Sequence, residues 1–401
     1  MVRVLMFGWE FAPMYSGGLG VACAGLTKGL VKKGVDVTFV VPKKPDGVKS
    51  HVRLLSAEEF AKGIKFKTIS SPLSPYMSNE QYLRMFKGNP FLARLYGPNL
   101  FEEVERYARA AQSIAAMEKF DIIHSHDWMT YKAGINAKRI TKKPLVVHIH
   151  ATEFDRTGGI GINPKIYDIE YEGFHAADKI CAVSNYTKQT LVEKYGVSNE
   201  KIEVVHNGVE LEEGEDEEFA LKSTDKIVLF LGRLTIQKGP DWFVEAAKKV
   251  LEVMPNVKFV IAGSGDMEGT LINKVIELGI ADKVLFTGFL KGKDINRAYK
   301  MADVYVLSSV SEPFGITPLE AMLNGTPTIV SKQSGVAEVI KHCLKVDFWD
   351  TNEMANKIIS ILNQTALKEV LSKEGKAEAS KLGWDGPAEK VFKVYKELLK
   401  K

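Results

Sequence analysis

Two stretches concentrate side chains able to act on a negatively charged leaving group. GRLTIQKG follows the apolar run IVLFL and sets Arg233 and Lys238 just past its end. That is where an open parallel sheet binds its ligands, and a guanidinium fork beside an ammonium point charge suits a diphosphate. Solvated loop cations are the plain alternative. Further on, SEPFGITPLEAMLNGTP carries Glu312 and Glu320 around a turn with Pro313 and Gly315. Within it, TPLE reads as a helix start, with Thr317 capping, Pro318 in first position and Glu320 closing a capping box. Glu320 thus has a structural duty at its own helix end, which disfavours a hydrolytic acid and nucleophile pair. Glu312 has no such duty and is the better partner for a substrate hydroxyl.

Three further patterns lie at the ends of apolar runs. AGSGD, with Gly263 and Gly265, reads either as a nucleotide cradle or as a turn whose Asp266 caps the next helix. YSGGLG, with Gly17 and Gly18, opens a helical stretch, where free backbone N–H groups and the helix dipole favour an anion. It is neither G-x-G-x-x-G, since Cys23 stands three residues after Gly20, nor a Walker A loop, so a structural turn and an anion site stay equally open. The histidines pair as His124 and His126 in HSHDW and as His148 and His150 in VVHIH; residues two apart on a strand share a face. A metal site is set aside, because no carboxylate stands at ligand spacing beside both pairs and some of these positions fall inside the sheet. Asp127 and His150, the last polar residues before loops, read as cleft residues. D-x-D does not occur in the chain, so side-chain cations rather than a divalent metal must neutralise a leaving group.

The elements that must position these residues are parallel strands with crossover helices. Short β-branched runs at 2–8, 35–42, 121–124, 145–150 and 179–183 form one series, and runs at 227–232, 257–263, 284–287, 304–307 and 328–331 form a second. Between them, ELEEGEDEEF cannot enter a core and marks a solvated linker. The expected division is residues 1–208, an acidic linker at 209–222, a second domain at 223–383, and a last helix at 384–401. The aromatic-rich stretch from Ser71 to Tyr107 reads as a packed loop or as an acceptor-binding excursion.

Composition supports this and excludes other classes. At 401 residues with 45% hydrophobic and 26% charged, the chain is long enough for two or three cores and is not disordered. A net charge of +4, from 54 Lys and Arg against 50 Asp and Glu, is too small for a dedicated nucleic-acid binder. Cys23, Cys181 and Cys343 are scattered and odd in number, as expected of buried thiols in a cytoplasmic protein rather than a disulfide framework. The opening MVRVLMFGWEF reads as a first strand and not a signal peptide, and no run of about 18 apolar residues crosses a membrane. Peripheral contact through Lys-rich loops stays open.

In order along the chain, GGLG, HDW, the His150 run, VSN at 183–185, HNGV, GRLTIQKG, AGSGD and SEPFGITPLEA resemble the retaining nucleotide-sugar glycosyltransferases of the GT-B fold, family 4 and the glycogen and starch synthases. The resemblance runs from Met1 to about Tyr395. It implies two Rossmann-like domains facing across a cleft, the acceptor mainly on the first and the nucleotide-sugar mainly on the second, with the last helix crossing back to the first. By resemblance, Arg233 and Lys238 bind the diphosphate, Gly17 and Gly18 approach it, Glu312 contacts the donor sugar, and His150 lies near the reacting carbon. Phe314, Gly315 and Ile316 support sugar and phosphate through their backbone, and Glu320 contacts the ribose. Asp127, Asn185, Gly263 and Gly265 complete the donor set.

The implied reaction moves a hexose from a UDP- or ADP-sugar to a carbohydrate or other hydroxyl acceptor, without a cofactor or metal. One departure bears on the branch: glycogen and starch synthases carry a Lys two residues before GGL, and here that residue is Tyr15. This favours a general family 4 reading over α-glucan synthesis. A nucleotide-sugar 2-epimerase and a non-catalytic sugar-nucleotide binder are the alternatives of other classes.

Overall fold

The structure, a computed structural model, describes residues 1–12, 18–42, 50–60, 100–210 and 225–400. Tyr15, Gly17, most of the acidic linker and the aromatic residues at 71–99 lie outside these. The chain forms two compact units, one of Met1–Glu153, Gly161–Gly208 and Trp384–Lys401, the other of Phe154–Ile160 and Val209–Gly383. Residues 154–160 therefore belong to the second unit, although the expected division placed all of 1–208 in the first.

The first unit holds a parallel sheet of β1 (Arg3–Phe7), β2 (Asp36–Val41), β3 (Arg53–Ser56), β4 (Ile122–His126), β5 (Leu145–Ile149), β6 (Lys179–Ala182) and β7 (Ile202–Val204). Their spatial order is β3-β2-β1-β4-β5-β6-β7. Helices Gly18–Lys32, Leu100–Met117 and Trp128–Thr141 are among those that pack against it. β1, β4 and β5 are nearly or wholly buried along their length, so they lack the alternation of a half-exposed strand, and the histidines of β4 and β5 are buried with the apolar residues. Tyr107, at the end of the aromatic stretch, is core: its hydroxyl donates to the Val40 carbonyl at 2.8 Å. The last helix, Asp385–Leu399, packs in this unit, and Tyr395 is fully buried against His124.

The second unit repeats the plan with β8 (Lys226–Leu231), β9 (Val257–Ala262), β10 (Val284–Gly288), β11 (Val304–Leu307), β12 (Thr328–Ser331) and β13 (Leu344–Val346), all parallel, in the order β10-β9-β8-β11-β12-β13. Val228, Phe230, Phe259, Ile261, Val304 and Val306 form its core together with helices Pro240–Val253 and Thr351–Asn363. In each sheet the order reverses once, between β1 and β4 and between β8 and β11, and the loops leaving such a pair splay apart and leave room for a ligand. Among the described residues no helix is long and apolar enough to cross a membrane.

Candidate active site

Lys238 and Glu312, 74 residues apart in sequence, meet beyond the carboxyl ends of β8 and β11. Lys238 Nζ donates to Glu312 Oε2 at 2.5 Å, and Ser309 Oγ donates to the same oxygen at 3.0 Å. The loop after β8 closes on a short 3-10 turn, Ile236–Lys238, and then Gly239 at φ 58° begins the next helix. A Cβ at Gly239 would stand 2.3 Å from the Ser308 carbonyl oxygen, so only glycine lets this loop lie against the end of β11. The two loops are also sewn together by the buried Gln237, whose carbonyl accepts from Val310 N at 2.9 Å, and by Ser308 Oγ, which donates to the Gly239 carbonyl at 2.8 Å. Arg233 lies half-buried on the same loop.

Glu312 was expected to be free of structural duty, and the structure corrects this. Its backbone bridges to Ser334, with Glu312 N donating to the Gln333 carbonyl and Gly335 N to the Glu312 carbonyl, each at 2.9 Å. The side chain is 8% exposed and matched by the Lys238 ammonium. A carboxylate this buried needs a cation and a hydrogen-bond donor to hold its charge. Phe314 follows, buried, its carbonyl accepting from Val336 N at 2.7 Å, then Gly315 at φ 95° and Ile316, which caps helix Thr317–Leu323.

The capping box expected at TPLE does not form. Thr317 is the first helical residue rather than the cap and Pro318 the second rather than the first, and no side chain caps this helix. Thr317 Oγ1 instead accepts from Tyr305 Oη at 2.8 Å, and Glu320 Oε2 accepts from Tyr299 Oη at 3.0 Å. Both tyrosines are fully buried behind the helix, and their hydroxyls compete for those oxygens because a buried donor must be satisfied. Asp266 is exposed and does not cap the helix after AGSGD, whose first residues follow Met267. Gly263 and Gly265 serve packing: a Cβ there would stand 1.8 Å from Gly232 O and 2.3 Å from Leu234 O, where the two loops run against each other.

In the first unit, Gly18 is the exposed first residue of its helix, and a Cβ there would meet nothing within 4 Å. Asn185 likewise starts a helix, capped by Ser184, whose hydroxyl accepts from Thr187 N at 2.9 Å. Asp127 is fully buried at φ 60°, and its Oδ1 accepts from His150 N at 2.7 Å and Ala151 N at 3.4 Å, tying the end of β4 to the chain leaving β5.

The four histidines come together because β4 and β5 pair in register with His126 opposite His148. The rings of His124 and His126 lie 4.4 Å apart and those of His148 and His150 lie 4.6 Å apart. His124 Nδ1 stands 2.5 Å from Tyr395 Oη, and His126 Nδ1 stands 3.0 Å from His150 Nε2. Burial pushes all four rings down, His150 to about 3, so they are neutral at physiological pH.

Sequence reasoning passed over three residues beside this chemistry. Ser309 and Ser311 stand in the loop with Glu312, and Ser311 Oγ donates to Asp155 Oδ1 at 2.6 Å, joining two positions 156 residues apart. Cys23 read only as a buried thiol, yet it lies beside His126 and His150. No local pattern announces either contact, because each depends on which elements become neighbours in space.

Comparison with known proteins gives a consistent answer. Residues 16–213 match the family model described as Glycosyltransferase Family 4, and residues 212–378 match that described as Glycosyl transferases group 1. An uncharacterized glycosyltransferase of Methanocaldococcus jannaschii is 32% identical over 98% of both chains. The solved sucrose-phosphate synthase of Thermosynechococcus elongatus superposes with a TM-score of 0.78 at 21% identity, covering 99% of both chains. HepE of Anabaena, solved in complex with UDP and glucose, superposes with a TM-score of 0.73 at 17% identity, covering 99% of this chain and 100% of that one. These likenesses establish the GT-B fold.

Proposed function

The chain belongs to the family 4 glycosyltransferases, and from that membership we propose that it moves a hexose from a nucleoside diphosphate to an acceptor hydroxyl, with retention at the anomeric carbon and without a divalent metal. The observation that carries this reading is the Lys238–Glu312 contact at the point where the second sheet reverses its order. An ammonium already held by a carboxylate is preorganised to meet charge that develops on a departing diphosphate, with no reorganisation left to make during the reaction. Arg233 adds a planar fork suited to phosphate oxygens. Glu312, relieved of part of the lysine's charge as the diphosphate claims it, accepts a hydrogen bond from a sugar hydroxyl.

The bond from the anomeric carbon to the diphosphate oxygen breaks, and the acceptor oxygen bonds that carbon from the same face. By resemblance to the family, the acceptor proton passes to the leaving phosphate. His150 remains an uncharged hydrogen-bonding ring toward the substrate. UDP-glucose is the donor to try first, since HepE was solved with UDP and glucose.

The test is thermal stability in the presence of nucleotides. A ligand at about 100 times its Kd adds about 2.7 kcal/mol to the unit that binds it. For a domain of some 200 residues this is a rise of roughly 5–10 °C in Tm. UDP or UDP-glucose is expected to give the larger shift and ADP the smaller. A shift with NAD or ATP and none with a sugar nucleotide or its diphosphate would defeat the proposal.

A further inference from the structure

Cys23 lies on helix Gly18–Lys32, His126 ends β4 and His150 follows β5, and the topology of the first sheet brings all three together. One sulfur and one nitrogen from each ring lie within 4.8 Å of one another, all buried. The facing nitrogens of His126 and His150 are 3.0 Å apart. Two nitrogens held about 2.0–2.1 Å from a tetrahedral ion stand roughly 3.3 Å apart, so this pair is already near ligand spacing, and the sulfur, within 4.8 Å of both, needs to close by at most about 1.2 Å. A second trio, His124, His126 and His148, is equally compact but lies wholly within the sheet. The Cys23 trio lies nearer the surface, because His150 stands past the strand end and keeps 7% of its surface exposed.

We propose that Cys23, His126 and His150 form a binding site for a borderline-soft divalent ion such as Zn2+, and that the ion inhibits the enzyme. A thiolate and two imidazoles are the donor set that zinc prefers over the hard, oxygen-seeking cations. The surroundings complete the chemistry. Burial pushes the Cys23 thiol well above its ordinary range, and the nearby Asp127 and Glu10 carboxylates push it further. A dication reverses that balance: the thiol gives its proton to solvent, and the same carboxylates then offset the ion's charge. Both rings bind in the neutral form that burial already imposes. His126 coordinates through Nδ1, which faces His150, and carries its proton on the buried Nε2. His150 coordinates through Nε2 and is withdrawn from the hydrogen-bonding duty assigned to it above, so the inhibitory half rests on the transferase reading.

Cobalt titration of the whole protein decides the site. Wild type should take up one Co2+ per chain with the intense near-ultraviolet absorption of a thiolate-to-cobalt transition and the visible bands of a tetrahedral ion, both reversed by Zn2+. Cys23→Ser and Cys23→Ala should lose the thiolate band and more than about 100-fold in affinity, beyond the 10–100-fold that loss of an outer hydrogen-bond partner costs. Using both variants guards against one failing to fold, and Cys181→Ser should keep the band. Absence of the band in wild type, or its survival in the Cys23 variants, overturns the site. In parallel, Zn2+ should suppress UDP release from UDP-glucose by wild type and spare Cys23→Ala; binding without that suppression overturns the inhibitory half. If no sample releases UDP at all, the transferase reading falls while the cobalt spectrum still decides the metal site.

Discussion

Where the second sheet reverses its order, between β8 and β11, a lysine and a glutamate meet at 2.5 Å and hold each other's charge. Where the first sheet reverses, between β1 and β4, the strand leads into HSHD, whose imidazoles are buried with those of β5 and stripped of charge. The same topology thus supports opposite electrostatics. In the second unit the backbone loops supply partners, Ser309 for Glu312 and Ser308 for Gly239, so a charged pair is retained. In the first, neither nitrogen of His148 has a hydrogen-bond partner, and Nε2 of His124 and of His126 has none. Desolvation without compensation is borne there by keeping the rings neutral. A charge-handling site and a proton-sensitive core are two uses of one fold.

The sharpest way to break this contrast is acid. Each histidine in the stack is depressed in the folded state and takes up a proton near pH 6.5 once unfolded. The unfolded chain therefore binds more protons, so the stability due to these rings is complete above about pH 6.5 and is lost as pH falls below it, for His150 down to about 3. Each ring adds about 1.4 kcal/mol per pH unit to the slope. Urea midpoints measured from pH 7 to 4.5, above the main carboxylate range, should fall steeply. His148→Leu should flatten that slope by one ring's share and raise stability at pH 7, since it replaces two unpartnered buried nitrogens. A flat profile in wild type would mean that the stack is hydrated and not desolvated.

A smaller effect sharpens the other side. Tyr299 donates to Glu320 where a capping box was expected. Tyr299→Phe should cost about 1 kcal/mol in urea unfolding, and Glu320→Ala about 1–3 kcal/mol because it strands a buried hydroxyl. In the double variant the second change should cost less than it does alone, which a capping role for Glu320 would not produce.

The fold was legible where strands carry clusters of apolar and β-branched residues: β1 (RVLMF), β8 (KIVLFL) and β11 (VYVL) are nearly continuous runs, and β2, β4, β5, β6, β9, β10 and β12 are read from shorter clusters. β3, β7 and β13 escaped notice: they have three or four residues each, and β3 and β7 close the edges of the first sheet, where pairing to one neighbour leaves little apolar signature. Lys238 and Glu312 were legible one at a time, as charges past strand ends, but their contact was not. It depends on β8 lying beside β11, and strand order is not written in local sequence. TPLE misled for a related reason: its local pattern is a valid cap, and only the buried tyrosines of β11 and of helix Lys293–Met301 redirect its oxygens.

The central claim is that Lys238 stabilises a departing diphosphate. It is tested most directly by single-turnover release of UDP from UDP-glucose by wild type and Lys238→Ala, each saturated with donor and each in EDTA. Loss of one preorganised donor to developing charge costs about 3–4 kcal/mol. The variant should therefore be slower by roughly a hundred- to a thousandfold, with wild type unaffected by the chelator. Equal rates in the two proteins, or a wild-type enzyme silenced by EDTA and restored by a divalent ion, would contradict it.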